Sequence, residues 1–197
     1  MIIDLDRCIG CFSCTVACQA LHAAPAETRR MDVHQIGPLG TFPGLTMHYL
    51  PVMCQHCRNP SCLEACPTGA IRKNVDGLVL IESDDCNGCG DCIDACPFQA
   101  RYVNPQTLIA ESCDLCMNCR PEDGQPFCAV SCATGAIRLC DIDQPDPISS
   151  EWLKNAEENR FQLDPDGGNI GPRTIYLMKR QPWAGWEKIA TSFGKKS

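Results

Sequence analysis

Five cysteines crowd the stretch CDLCMNCRPEDGQPFCAVSC, residues 113–132, and three earlier stretches are almost as dense. CIGCFSCTVAC carries Cys8, Cys11, Cys14 and Cys18; CQHCRNPSCLEACP carries Cys54, Cys57, Cys62 and Cys66; CNGCGDCIDACP carries Cys86, Cys89, Cys92 and Cys96. The first and third repeat C-x2-C-x2-C-x3-C, the spacing by which bacterial ferredoxins hold iron–sulfur cubanes. The second widens one gap to x4. Thiolates converging at such short range bind metal, whereas disulfide frameworks scatter their cysteines and pair them across loops.

The second stretch decodes the fourth. SCLEACPTGAIR and FCAVSCATGAIR each place two cysteines at C-x3-C spacing shortly before the same TGAIR. Cys128 thus corresponds to Cys62 and Cys132 to Cys66, while the kernel of Cys113 and Cys116 corresponds to that of Cys54 and Cys57. The fourth stretch then reads C-x2-C-x11-C-x3-C, with Cys119 inside an inserted loop and surplus to ligation. Cys140 falls outside every kernel, so Cys119 and Cys140 are both read as buried or free thiols rather than ligands.

A [4Fe–4S] cubane takes four thiolates, and a C-x2-C-x2-C loop wraps three of its corners with its amide N–H groups facing the sulfurs. Gly10, Gly88 and Gly90 give such loops their backbone freedom. The fourth cysteine is expected to start a helix and to ligate the neighbouring cluster, with Pro67 or Pro97 suiting the turn after it. Ligands then cross between paired stretches. TGAIRKNVDGLVLIESDD joins the second and third as strand, Asp76–Gly77 turn and strand. The first and fourth are left to pair around them. Four ligand sets follow: Cys54, Cys57, Cys62 and Cys96; Cys66, Cys86, Cys89 and Cys92; Cys8, Cys11, Cys14 and Cys132; Cys18, Cys113, Cys116 and Cys128. Zinc is the competitor for CxxC kernels, but zinc sites close with two such pairs and do not call for C-x2-C-x2-C-x3-C-P runs.

This order of stretches, with a widened gap in the second and a long insertion in the fourth, resembles the iron–sulfur subunits of the dimethyl sulfoxide reductase family of molybdopterin oxidoreductases. LPVMCQHCRNPSCLEACPTGAIRKNVDGLVLIESDDCNGCGDCIDACPFQARY carries the resemblance most closely, and residues 1–141 share in it. It implies a non-catalytic electron-transfer subunit that relays single electrons through four [4Fe–4S] clusters to or from a large catalytic subunit carrying a molybdenum or tungsten bis-pterin. A membrane anchor subunit or a soluble electron carrier completes such circuits. The alternatives are a free-standing polyferredoxin, or a subunit of a formate hydrogenlyase-type or tungsten aldehyde oxidoreductase complex. The sequence departs from the family where Cys119 replaces an arginine, with Arg120 following, and where Ala133 replaces a proline.

The elements that hold these ligands must be small. The expected fold is α+β: two pseudo-symmetric bacterial-ferredoxin-like dicluster units, one inserted in the other, with long loops and a C-terminal tail. Residues 1–50 plus 108–142 make the outer unit, 51–107 the inserted unit, and 143–197 a C-terminal extension expected to contact a partner. There GPRTIYLMKRQPWAGWEK reads as a strand and a tail, with Trp183 and Trp186 as anchors on the partner or as a local clasp.

Composition agrees with a folded chain: hydrophobic residues are 44% of the 197 and charged ones 21%, while eighteen cysteines take over part of the core. A net charge of −7 excludes a broad basic surface for nucleic acid. The start MIIDLDRC has no basic or apolar leader pattern, which reads as cytoplasmic, with export or membrane association only through a partner. No apolar run approaches a membrane span, so direct membrane insertion is not expected. Neither GxGxxG nor a Walker motif is present. His56 lies in a ligand loop; His22, His34 and His48 lack metal-type spacing. Each oxidised cubane with four thiolates carries about −2, so cations are expected nearby. Arg7, Arg58, Arg72, Lys73, Arg101, Arg120 and Arg138 are the candidates.

Overall fold

A computed structural model of the chain describes residues 1–163, 165, 167 and 169–178. Its elements are short and mixed, as an α+β chain built around metal ligands requires. TGAIRKNVDGLVLI forms an antiparallel hairpin of β4 (Ile71–Lys73) and β5 (Val79–Ile81), with Ile71 opposite Ile81. Asn74 and Gly77 close its turn: the Asn74 side chain accepts the Leu78 N–H at 2.8 Å, and Gly77 takes φ +78°. A second hairpin pairs β6 (Arg101–Val103) with β7 (Ala110–Ser112), and a longer one pairs β2 (Met31–Leu39) with β3 (Thr46–Met53).

The largest sheet has four strands in the order β8 (Ile137–Arg138), β1 (Ile2–Asp4), β10 (Ile175–Leu177) and β9 (Arg160–Phe161). β1 is antiparallel to β8 and parallel to β10, so strands flanking the first and fourth cysteine stretches are neighbours. Ile2, Ile3, Tyr176 and Leu177 are fully buried in this sheet. Tyr176 stacks on Phe161 at 5.5 Å and its hydroxyl donates to the Pro51 carbonyl at 2.9 Å, which ties the sheet to β3. Helix α5 (Pro147–Asn155) covers one face through Trp152, and Asp146 caps it by accepting the N–H groups of Ile148 and Ser149. The described part of the C-terminal extension thus belongs to the sheet core. Trp183 and Trp186 lie outside the described residues.

The other helices carry cysteines. They are α1 (Ser13–His22), α2 (Ser61–Glu64), α3 (Asp91–Asp94) and α4 (Phe127–Val130); α1 packs against α4, and α2 against α3. Here the expected position of the fourth cysteine needs correcting. In the last three stretches the single helical turn carries the third ligand, Cys62, Cys92 or Cys128, and has ended before Cys66, Cys96 or Cys132. A turn then redirects the chain into a strand, with Gly69, Gln99 and Gly135 in the left-handed region at φ +69°, +48° and +60°. Pro67 and Pro97 reinforce the break, because a residue before proline resists helical geometry. The first stretch has no such turn, and α1 runs on through Cys18.

Candidate iron–sulfur centres

One backbone device recurs in all four CxxC kernels. The residue before the second cysteine is left-handed each time: Gly10 at φ +66°, His56 at +44°, Gly88 at +69° and Leu115 at +55°. That conformation turns the residue's N–H back on the first thiol. Leu115 N–H donates to Cys113 Sγ at 3.4 Å, and the Gly10 and His56 amides approach Cys8 and Cys54 in the same way. Successive amides facing inward make an anion-binding concavity suited to thiolates and inorganic sulfide.

The thiols gather in groups. Cys54, Cys57, Cys62 and Cys96 line one cavity. Cys18, Cys113, Cys116 and Cys128 line a second, and Cys8, Cys11, Cys14 and Cys132 a third. Cys66, Cys86 and Cys92 share a small core with Cys62, Ile71 and Val79, while Cys89 is exposed. Cys140 sits apart, against the patch formed by Ile2, Trp152 and Leu177. Cys119 is exposed, but its sulfur lies within 4.8 Å of Cys116 Sγ and a ring nitrogen of His22.

The donor set suits a cationic metal core. Burial pushes the thiols of Cys14, Cys54 and Cys92 up to about 11 and those of Cys18 and Cys57 up to about 12, and also holds Cys113 and Cys128 well above the ordinary thiol value. Neighbouring thiolates add to the effect. Sulfurs so placed stay protonated on their own and ionise on binding metal. His56 is neutral in the same interior: burial holds its pKa down at about 3, its Nδ1 accepts the Val79 N–H at 3.0 Å, and the proton therefore sits on Nε2.

Arg101 gives an independent test of fit. Most of the candidate cations are otherwise engaged: Arg7 with Asp4, Arg72 with Asp85, Arg138 with Asp146, Lys73 with the Arg58 carbonyl and Arg120 with the Leu115 carbonyl. Arg101 is 4% exposed, and its Nε, Nη1 and Nη2 make no well-formed hydrogen bond, although its side chain approaches the Cys62 sulfur. Burial opposes its charge, and it is the sulfurs of Cys54, Cys62, Cys96 and Cys92, once ionised, that raise its pKa above the ordinary value. An unpaired guanidinium inside protein is severely destabilising. A dianionic cluster on those sulfurs supplies the missing counter-charge, so the residues fit [4Fe–4S] binding. Sequence reasoning placed Arg101 among seven cations without singling it out. The signal was its register after the fourth cysteine, where Ile71 and Ile137 stand in the other repeats.

Residues 45–142 match a 4Fe–4S dicluster domain, and residues 7–70 match another. The chain is 38% identical to the thiosulfate reductase electron transfer subunit PhsB of Salmonella typhi, over 82% of this chain and 84% of that one. It is 36% identical to a tetrathionate reductase subunit of Salmonella typhimurium, over 90% and 71% of the two chains. It is 34% identical to protein NrfC of Escherichia coli K12, over 83% and 74%. No helix among the described residues is long and apolar enough to cross a membrane. The repeated thiol loops, the dicluster domains and these relatives agree: the chain belongs to the iron–sulfur subunits of the molybdopterin oxidoreductases, the non-catalytic electron-transfer members of reductase complexes.

Proposed function

We propose that the chain relays single electrons through four [4Fe–4S] clusters to or from a large catalytic subunit carrying a molybdenum or tungsten bis-pterin. The proposed ligands are Cys54, Cys57, Cys62 and Cys96; Cys66, Cys86, Cys89 and Cys92; Cys18, Cys113, Cys116 and Cys128; and Cys8, Cys11, Cys14 and Cys132. The observation that carries this reading is the lining of three cavities, each by one complete quartet drawn from two different cysteine stretches. When bound, the clusters take up and release one electron at a time. The chain's own part is to shield its buried thiols, such as Cys54, Cys62, Cys92 and Cys128, from water, present backbone amides to sulfur and fix the quartets relative to one another.

The nested arrangement belongs to the same proposal, with residues 51–107 inserted between 1–50 and 108–142. Packing of α1 on α4 and of α2 on α3 supports it, as does the pairing of β1 with β8. Proximity between quartets supports a single file. Cys62 and Cys92 share one packed cluster, and Cys14, Cys54 and Cys128 share another with Cys113 against it. Charge on Cys62 raises the pKa of Cys92, charge on Cys54 that of Cys113, and charge on Cys14 those of both Cys18 and Cys128. The file then runs from the Cys66–Cys86–Cys89–Cys92 set through Cys54–Cys57–Cys62–Cys96 and Cys18–Cys113–Cys116–Cys128 to Cys8–Cys11–Cys14–Cys132.

Anaerobic purification of the native protein tests the reading. About sixteen irons and about sixteen acid-labile sulfides per chain are expected, four of each per cluster. Co-purification with a large molybdopterin subunit is expected too. Stoichiometric zinc would overturn the cluster assignment, and recovery only as a monomer would favour a free-standing polyferredoxin.

A further inference from the structure

The three cysteine stretches that end in a turn and a strand place the same backbone position five residues after the fourth cysteine. It is Ile71 after Cys66, Arg101 after Cys96 and Ile137 after Cys132, and in each case it opens a strand. All three are buried, at 4%, 4% and 5% exposure. Two repeats therefore fill this slot with the side chain a core prefers. The third fills it with a guanidinium whose nitrogens make no well-formed hydrogen bond and meet no carboxylate among the described residues, and which lies beside the Cys62 sulfur. Packing alone gives no reason for the exchange, since isoleucine satisfies the slot twice and a buried unpaired cation is heavily penalised.

What surrounds Arg101 supplies the reason. It lines the Cys54–Cys57–Cys62–Cys96 cavity beside Phe98 and Ile170. Its strand, β6, also packs against α3, the helix that carries Cys92 of the next proposed quartet. Resting on the four-cluster reading above, we propose that Arg101 is a positioning residue for electron transfer. It is a permanent buried cation set between two adjacent clusters, and it raises the reduction potential of both. Reduction adds one negative charge to a cluster, and a fixed positive charge in a water-poor interior favours the more negative state. The Cys54–Cys57–Cys62–Cys96 site, whose cavity it lines, feels the larger effect. The two remaining quartets lie outside this set of contacts and serve as internal controls.

The test is a potentiometric titration of the intact complex, followed by electron paramagnetic resonance, with iron counted in every sample. Wild-type iron of about sixteen per chain must be present first; its absence refutes the four-cluster reading rather than the role of Arg101. In Arg101→Gln, the reduced-to-oxidised ratio of the adjacent clusters at fixed potential should fall by roughly tenfold, a shift of about 59 mV for a one-electron couple. The two control clusters should keep their wild-type midpoints, and Arg101→Lys should restore the adjacent ones towards wild type. If Arg101→Gln fails to hold iron, retention of iron and near-wild-type potentials in Arg101→Lys still identifies charge as the requirement. Unchanged midpoints in Arg101→Gln, or iron loss in both variants alike, would overturn the proposal.

Discussion

At the scale of single residues, the surplus thiol is the sharpest question. CDLCMNC looks like the front of a ferredoxin loop, yet Cys119 is exposed and its N–H donates to the Cys116 carbonyl at 3.0 Å. Cys128 is buried on α4 and lines the same cavity as Cys18, Cys113 and Cys116. Cys119→Ser should therefore keep all four clusters, whereas Cys128→Ser should lose one or convert it to a three-iron form. Iron counts and electron paramagnetic resonance distinguish the two, and the reverse result would move the third ligand into the loop. The proposed ligand register comes from the TGAIR echo, which aligns the two cysteines before it in the second and fourth stretches. The burial of Arg101 was not legible, since an arginine in a sequence carries no mark of where its side chain lies. Only comparison with Ile71 and Ile137 exposes it.

Among the elements, the CxxC loops show why glycine recurs in some kernels and not in others. All four need a left-handed residue before the second cysteine, yet His56 and Leu115 meet that need with full side chains. Gly88 has no such latitude, because a Cβ there would fall on the Leu108 carbonyl oxygen; one on Gly10 would fall on the Tyr49 ring. Gly90 is also left-handed, at φ +88°, but a Cβ there meets nothing within 4 Å. Gly88→Ala should thus displace the loop from Cys86 to Cys92 and lower iron by about four per chain, one cubane's worth. Gly90→Ala should keep its iron and lose only about 1–2 kcal/mol of stability to the left-handed backbone. Equal iron loss in both would mean that backbone conformation, not the Leu108 contact, governs the loop. The β4–β5 hairpin was readable from its Asp-Gly turn. The helix ends were not, because proline after the fourth cysteine is as compatible with a helix beginning there as with one already finished.

For the molecule as a whole, the sequence pattern announces four cysteine stretches and a dicluster α+β fold, and stops at the sheet that gathers them. β1 and β10 are three residues each and pair in parallel across almost the entire described chain, and strands so short carry no alternation to announce a partner. The proposed single file of quartets has a consequence that a branched layout lacks. On that proposed arrangement the Cys54–Cys57–Cys62–Cys96 site is an obligatory step between the Cys66–Cys86–Cys89–Cys92 end and the other two quartets. Cys54 lies near enough to Cys113, and Cys62 to Cys92, for charge on one to raise the pKa of the other. Replacing Cys54 and Cys57 together by alanine removes two of its four thiolates. In the intact complex, with electrons supplied through the catalytic subunit and samples frozen at successive times, the wild type should reduce both ends of the file. The double variant should reduce the end nearer the catalytic subunit at the wild-type rate and leave the far end oxidised. Direct chemical reduction of the same sample should still reveal the far cluster, which separates a broken path from a lost cofactor. Reduction of both ends at undiminished rates would rule out the single file, because tunnelling falls off steeply with distance and the gap left by a missing middle centre is too wide to cross at that speed.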